Sequence, residues 1–231
     1  MDSTLIASWA AVAATLIAVV VALFKEQLQA RFVRPRFKML VGTRAPYSVK
    51  IPSNVYASDI DGKRQHLWGG TIYYTRLWVQ NDGNRRGESV EVVVTKLERQ
   101  HLDGTWVPAD GFIPSNLRWS NADPTNPESF HGINPGMGRF CDLGAIADPA
   151  CITLKVISGV PKGTATFDLA VQTAPWDDGH RLPQGDHKVY LKISAANAEP
   201  VEHIVKVSIT GNWTEDEKNM FERELGVSIL K

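Results

Sequence analysis

"HKVYLKISAANAEPVEHIVKVSIT", residues 187–210, decides the fold. His187, Val189, Leu191 and Ile193 fall on one face and Lys188, Tyr190 and Lys192 on the other, the period of two that a half-buried strand requires. After "AANAEP" (195–200), Val201, His203, Val205, Val207 and Ile209 repeat the pattern. Two alternating strands with a loop of small and polar residues between them read as an antiparallel hairpin with one face in the core and one in water. In-phase pairing of Ile193 with Val201 sets His203 near Leu191 and leaves His187 four residues away, roughly 13 Å at about 3.3 Å per residue.

Further strand signals lie on either side of the hairpin. "FKMLVGT" (37–43), "GTIYYTRLWVQ" (70–80), "SVEVVVTKLE" (89–98), "GRFCDL" (138–143), "CITLKVIS" (151–158) and "TATFDLAVQ" (164–172) are short, rich in β-branched and aromatic residues, and separated by Gly, Pro, Asn and Asp. About eight such strands predict an all-β antiparallel sandwich of two packed sheets over residues 37–231. A short helix is predicted near the end, capped at Asn212 or by a Thr214/Glu217 capping box and closed at Gly226.

The first 36 residues are of another kind. From Leu5 to Phe24 the chain carries no formal charge, and a helix of that length covers roughly the 30 Å of a bilayer's hydrocarbon. Ser8 and Thr15 within it can bond back to the preceding turn. The only charge before the run is Asp2, whereas a secretory signal begins with basic residues, so residues 1–24 read as a retained transmembrane anchor. Lys25, Arg31, Arg34, Arg36 and Lys38 follow it, in a basic helix and linker over 25–36 that Pro35 ends, placed to meet lipid headgroups. Positive charge at that end orients the N-terminus outside and the β-rich body in the cytoplasm, at the inner membrane. On a helical wheel Ser3, Ala7, Ala10, Ala11, Ala14, Ala18 and Ala22 share one side, and small residues let spans pack closely, so a homo-oligomer is expected.

Charge and cysteine content exclude some classes. The 25 Lys and Arg equal the 25 Asp and Glu, so the chain has no global field for nucleic acid. Cys141 and Cys151 are expected to be reduced in a cytoplasmic body, and two cysteines alone make no zinc site. There is no GxSxG, GxxxxGK, HExxH or CxxC, so no enzyme and no cofactor are expected. The loop "APWDDGHRLPQGDHK" (174–188) gathers Asp177, Asp178, His180, Asp186 and His187, a composition that suits metal or acid–base chemistry but also any polar loop. Between Val107 and Gly138 a proline-rich irregular stretch is expected, with Phe112, Trp119 and Phe130 pinning it to the sandwich and Trp119 a candidate ligand contact. "KRQHLWGGTIYYTRLW" (63–78) sets basic residues among aromatics, so Arg64, Arg76, Arg85 and Arg86 are candidates for holding a nucleotide or short nucleic acid, with half of the rings facing the core.

"LWVQNDGNRRGESVEVVV" (77–94), a strand, an Asn-Asp-Gly turn and a second strand, resembles the strand–turn–strand unit of bacterial immunoglobulin-like modules of the CARDB type. That resemblance implies a binding or spacing module without an active site, and covers only these residues. The layout of one span and a small cytosolic domain is similar to that of single-span membrane effectors of bacterial anti-phage defence, which implies action at the membrane, as through a gated pore. Three functions follow as expectations: an oligomeric anchored module that senses a ligand or protein partner, a passive tether or accessory subunit, and a β-sandwich enzyme with a dispersed site.

Overall fold

The computed structural model describes residues 3–58, 64–121, 130–150, 160–172 and 178–230, without the side chains of residues 3–8, 26–32, 53–58, 64–68 and 131. One helix, α1 (Ser3–Phe32), is followed by an extended link and a β-rich body. Every residue from Trp9 to Lys25 is exposed. Among the described residues, which in α1 include the side chains of Trp9–Lys25 alone, no helix is long and apolar enough to cross a membrane. Thr15 Oγ1 donates to the Ala11 carbonyl at 2.9 Å, so this internal hydroxyl bonds to its own helix as expected.

The body consists of two antiparallel sheets. The first contains β1 (Phe37–Leu40), β2 (Ser48–Ser58), β3 (Arg64–Asn81), β8 (Gly138–Ala147), β9 (Phe167–Leu169) and β10 (Arg181–Leu182), in the order β1-β3-β8-β9-β10 with β2 also on β3. The second contains β4 (Gly87–Gln100), β5 (Trp106–Pro108), β6 (Ser115–Asn116), β7 (Phe130–Ile133), β11 (Gly185–Ala195), β12 (Ala198–Ile209) and β13 (Leu225–Leu230). Its order is β13-β12-β11-β4-β5, with β6 and β7 also on β4. Inward side chains from both sheets, among them Tyr73, Leu77 and Val79 of β3 and Val90, Val92 and Val94 of β4, form one buried cluster. Each fully buried Val or Leu contributes about 1.5–3 kcal/mol, so this shared core is what holds the two sheets together.

The 187–210 hairpin has the anticipated register: Ile193 pairs with Val201 and Leu191 with His203, while His187 lies opposite Val207. Its connection is shorter than the six residues expected, because Ala195 already pairs with Ala198 and only Ala196 and Asn197 turn. In β4 the partner register shifts between Tyr190 and Leu191, so that Leu97 returns to the core after Val90, Val92 and Val94. β3 and β4 do not pair with each other. The Asn-Asp-Gly unit therefore carries the chain from one sheet to the other rather than closing a hairpin.

Several expectations need correction. The stretch after Val107 is irregular over 109–114 but not throughout: Ser115 and Asn116 pair with β4, Leu117 bridges to Val171 and Trp119 to Cys141, so it closes one flank between the sheets. The C-terminal helix shrinks to Glu217–Asn219, capped by Asp216, whose side chain accepts from the Asn219 N–H, and is followed by a π-helical turn at Met220–Glu224. Thr214 Oγ1 accepts from Asp216 N–H and Glu217 from Lys50 N–H, so neither closes a capping box. Gly226 lies inside β13, because Leu225 and Val227 are buried and the chain continues as an edge strand on β12. Tyr73 holds the 213–221 segment against the first sheet, donating from its hydroxyl to the Thr214 carbonyl at 2.7 Å and packing on Trp213 and Phe221. The strand expected at 151–158 lies outside the described residues.

Candidate functional site

Two ends of the body differ in character. At the end where α1 arrives, the link 33–36 is locked to the turn after β3. Asn81 is fully buried and all four of its side-chain hydrogen-bonding positions are used. Its Oδ1 accepts from Arg36 N–H at 3.1 Å and Gly83 N–H at 2.9 Å, and its Nδ2 donates to the carbonyls of Arg85 (2.7 Å) and Ile133 (2.9 Å). Main-chain bonds reinforce the clasp: Asp82 N–H donates to the Arg36 carbonyl at 2.7 Å, and Asn84 Oδ1 accepts from Arg34 N–H at 3.0 Å. Gly83 is needed for this approach, since a Cβ there would lie 2.3 Å from the Arg34 carbonyl oxygen. The helix exit is thus bonded to the body within two residues of Phe32.

At the opposite end, about 40 Å away along β4 at roughly 3.3 Å per residue, a cleft of about 890 Å³ opens between the 97–109, 160–164 and 178–187 segments. Its walls mix Leu97, Val107 and Leu182 with Arg99, His101, Asp178, Arg181 and His187. His187 is buried; Nε2 lies 2.8 Å from the Pro183 carbonyl, so the proton belongs there and Nδ1 is an acceptor with no hydrogen-bond partner in the structure. Burial lowers the His187 pKa, which keeps the ring neutral near pH 7. Arg181 Nε faces Asp168 at 3.4 Å and Asp178 at 3.7 Å. Burial raises Asp168 to about 6 although 41% of its side chain is accessible; Arg181 opposes the rise and Asp178 adds to it. A cleft of this size, with mixed apolar and charged walls and the exposed Arg99 guanidinium at its side, suits a small polar organic molecule, while the buried His187 Nδ1 is closed off from it.

The residues singled out in the sequence are spread over the molecule. Ala10, Ala11, Ala14, Ala18 and Ala22 lie exposed on α1, while the side chains of Ser3 and Ala7 lie outside the described residues. Lys25 is exposed on the helix; Arg31 is helical, its side chain not among those described. Arg34 and Arg36 are exposed in the clasped link, whereas Lys38 belongs to β1 and pairs with Asp82 at 2.6 Å, so it is part of the sandwich and not of a headgroup helix. Trp119 is a core residue, its indole N–H donating to the Val90 carbonyl at 3.2 Å, and offers no face to a ligand. Arg76 lies over the Phe140 ring at 4.4 Å and donates to the Pro46 carbonyl at 2.6 Å, on the outer face of the first sheet. Arg85 and Arg86 are at the clasp, far from Arg76's ring stack, and Arg64 has its backbone in β3 with its side chain outside the described residues. The structure therefore does not join these arginines into one ligand site.

In the 174–188 loop, Asp177 lies outside the described residues, Asp186 pairs with Lys206 at 2.7 Å, and Asp178 and His187 reach the cleft. Among the described residues no group of His, Cys, Asp and Glu is arranged to hold a metal. Cys141 is a buried free thiol whose pKa burial raises, and Cys151 lies outside the described residues. The cleft escaped sequence reading because its walls come from three distant segments with no shared local pattern. No family model, curated protein or solved structure matches the chain.

Proposed function

We propose that the chain is a single-pass, membrane-anchored binding module with an immunoglobulin-like sandwich as its body, held at the cytoplasmic side of the inner membrane. Copies associate through the small-residue side of α1, and a small ligand taken up in the distal cleft changes their arrangement at the bilayer, as a pore-type defence effector would require. The observation that carries this reading is the helix: the backbone is helical from Ser3 to Phe32, about 45 Å, and large apolar side chains such as Trp9, Leu16 and Leu23 are 61–72% exposed with nothing of the body against them. Exposed apolar surface on that scale marks an interaction with lipid or protein. The uncharged run from Leu5 to Phe24 and the basic residues behind it favour lipid. The sandwich reading is supported by consecutive strands β3 and β4 lying in opposite sheets around one core.

Fractionation tests the anchor. The unsubstituted protein is expected to stay in membranes through alkaline carbonate washing, and Val12→Arg with Leu16→Arg to release it; release of the unsubstituted protein would refute the anchor. Ala14→Leu or Ala18→Leu is expected to reduce the size of the detergent-extracted assembly and any conductance together, and an unchanged assembly in both would remove the oligomer.

A further inference from the structure

The clasped end of the body is basic as well as rigid. Arg34, Arg36, Arg85 and Arg86 are exposed there, and none has an ion-pair partner among the described residues. Arg139, next along at the start of β8, is exposed and lies across the Phe130 ring at 4.5 Å. Among the described residues the carboxylates at this end are fewer: Asp82 is neutralised by Lys38, leaving Glu88 and Glu199. Beside the arginines Met137 is 61% exposed and Val33 41%, and the Met137 carbonyl accepts from the same Asn81 whose side chain holds Arg36. Apolar side chains amid unpaired guanidiniums, on the surface from which an apolar helix departs, match the chemistry of an anionic bilayer surface.

We propose that this end of the sandwich docks on anionic phospholipid headgroups, with Arg85, Arg86 and Arg139 among the phosphates and Met137 in the interface. The proposal rests on the anchor reading above and adds to it that the body lies on the membrane in a fixed pose. The distance allows it. Lys25–Phe32 add about 12 Å of helix beyond the apolar run, comparable to the headgroup layer plus the reach of an arginine, and helix tilt shortens it. The Asn81 clasp fixes the direction in which the helix leaves the body, so a tilt of the helix in the bilayer carries this end to the headgroups, and attraction to anionic lipid holds it there. The distal cleft, at the other end of β4, then faces the aqueous side.

The test uses the full chain in vesicles, with Cys151→Ala as background and Cys141 shielded by burial. A fluorophore is attached singly at Leu16→Cys, Met137→Cys or Leu102→Cys, and quenched by lipids carrying a nitroxide in the acyl chain or on the headgroup. In phosphatidylcholine containing roughly one third phosphatidylglycerol, position 16 is expected to be quenched from the acyl chain and position 137 from the headgroup. Position 102, exposed at the far end, should be quenched by neither. In pure phosphatidylcholine position 137 should lose its quenching. The double substitution Arg85→Glu with Arg86→Glu should lower the docked fraction at least tenfold, since each basic residue near an anionic surface is worth about fivefold in affinity. Raising salt to about 0.5 M, which shortens the screening length well below 8 Å, should do the same without any charge substitution. Position 137 unquenched in both vesicles while 16 is quenched overturns the docking and leaves the anchor. Equal quenching of 137 in both lipid compositions overturns the anionic assignment, and an unquenched position 16 overturns anchor and docking together.

Discussion

Asn81 is the residue on which the most structure converges, because a single buried amide satisfies backbone groups from the link before β1, from its own turn and from β7. Replacing it by alanine leaves two N–H groups and two carbonyls without partners in a water-poor site. At about 1–3 kcal/mol for each buried group stranded, partly relieved by relaxation, Asn81→Ala is expected to destabilise the body by about 3–5 kcal/mol. Asn81→Asp keeps the acceptor but loses both donors and buries a charge, and should be no milder. Thermal melting checks both, and a loss under 1 kcal/mol would show that the clasp is redundant. A second prediction concerns Asp168. Its folded-state pKa of about 6 lies above the 3.8 of the free side chain, so the folded state holds the proton more tightly. The stability this contributes is complete below about pH 4 and is lost as pH rises through 6. Relative to the unsubstituted protein, Asp168→Asn should therefore melt at a higher temperature at pH 7 than it does, again in relative terms, at pH 4.5; a difference that stays constant across this range would contradict the assignment.

Among the elements, the link between α1 and β1 has least room to vary. A Cβ on Gly83 would meet three backbone atoms, the Arg34 oxygen at 2.3 Å, Arg36 nitrogen at 2.5 Å and Pro35 carbon at 2.8 Å, none of which can rotate aside. Gly83→Ala is expected to displace the link, cost about 1–3 kcal/mol as overpacking does, and speed tryptic cleavage after Arg36 several-fold while the rest of the body stays resistant. Unchanged cleavage would mean that the link is already free. The elements also show what a sequence reveals. The 187–210 hairpin was legible to the register because alternation is strict over both strands, and one face being buried forbids a one-residue slip. β2 gives no clear strand signal because Pro52 interrupts it; the missing N–H is tolerated because β2 bonds to β3 on one side only, as an edge strand. β13 carries two conflicting signals: Leu225, Val227 and Ile229 alternate as a strand does, while Gly226 resembles a helix stop. The role of Asn-Asp-Gly in joining two sheets could not be read locally: the same residues serve a hairpin, and which it is depends on partners fifty residues away.

For the whole molecule, the division of labour between helix and body decides what each can do without the other. Among the described residues the buried cluster begins at Phe37 and contains no residue of α1, and every side chain from Trp9 to Lys25 is exposed. The Trp9–Lys25 stretch of the helix therefore adds nothing to the core, and the clasp begins at Arg34. A chain starting at Val33 keeps the Arg34–Asn84 and Arg36–Asn81 bonds and all of the core, so it is expected to fold by itself, with a β-type circular dichroism spectrum. Its melting temperature should lie within about 2 °C of that of the full chain, the range set by surface changes of about 0.5 kcal/mol in a domain of this size. It should leave the membrane fraction, since its arginines alone hold it to anionic vesicles weakly and in a salt-sensitive way. A shortened chain that aggregates, or that binds a hydrophobic dye as a loosely packed state does, would mean that α1 packs on the body and that the two are one cooperative unit.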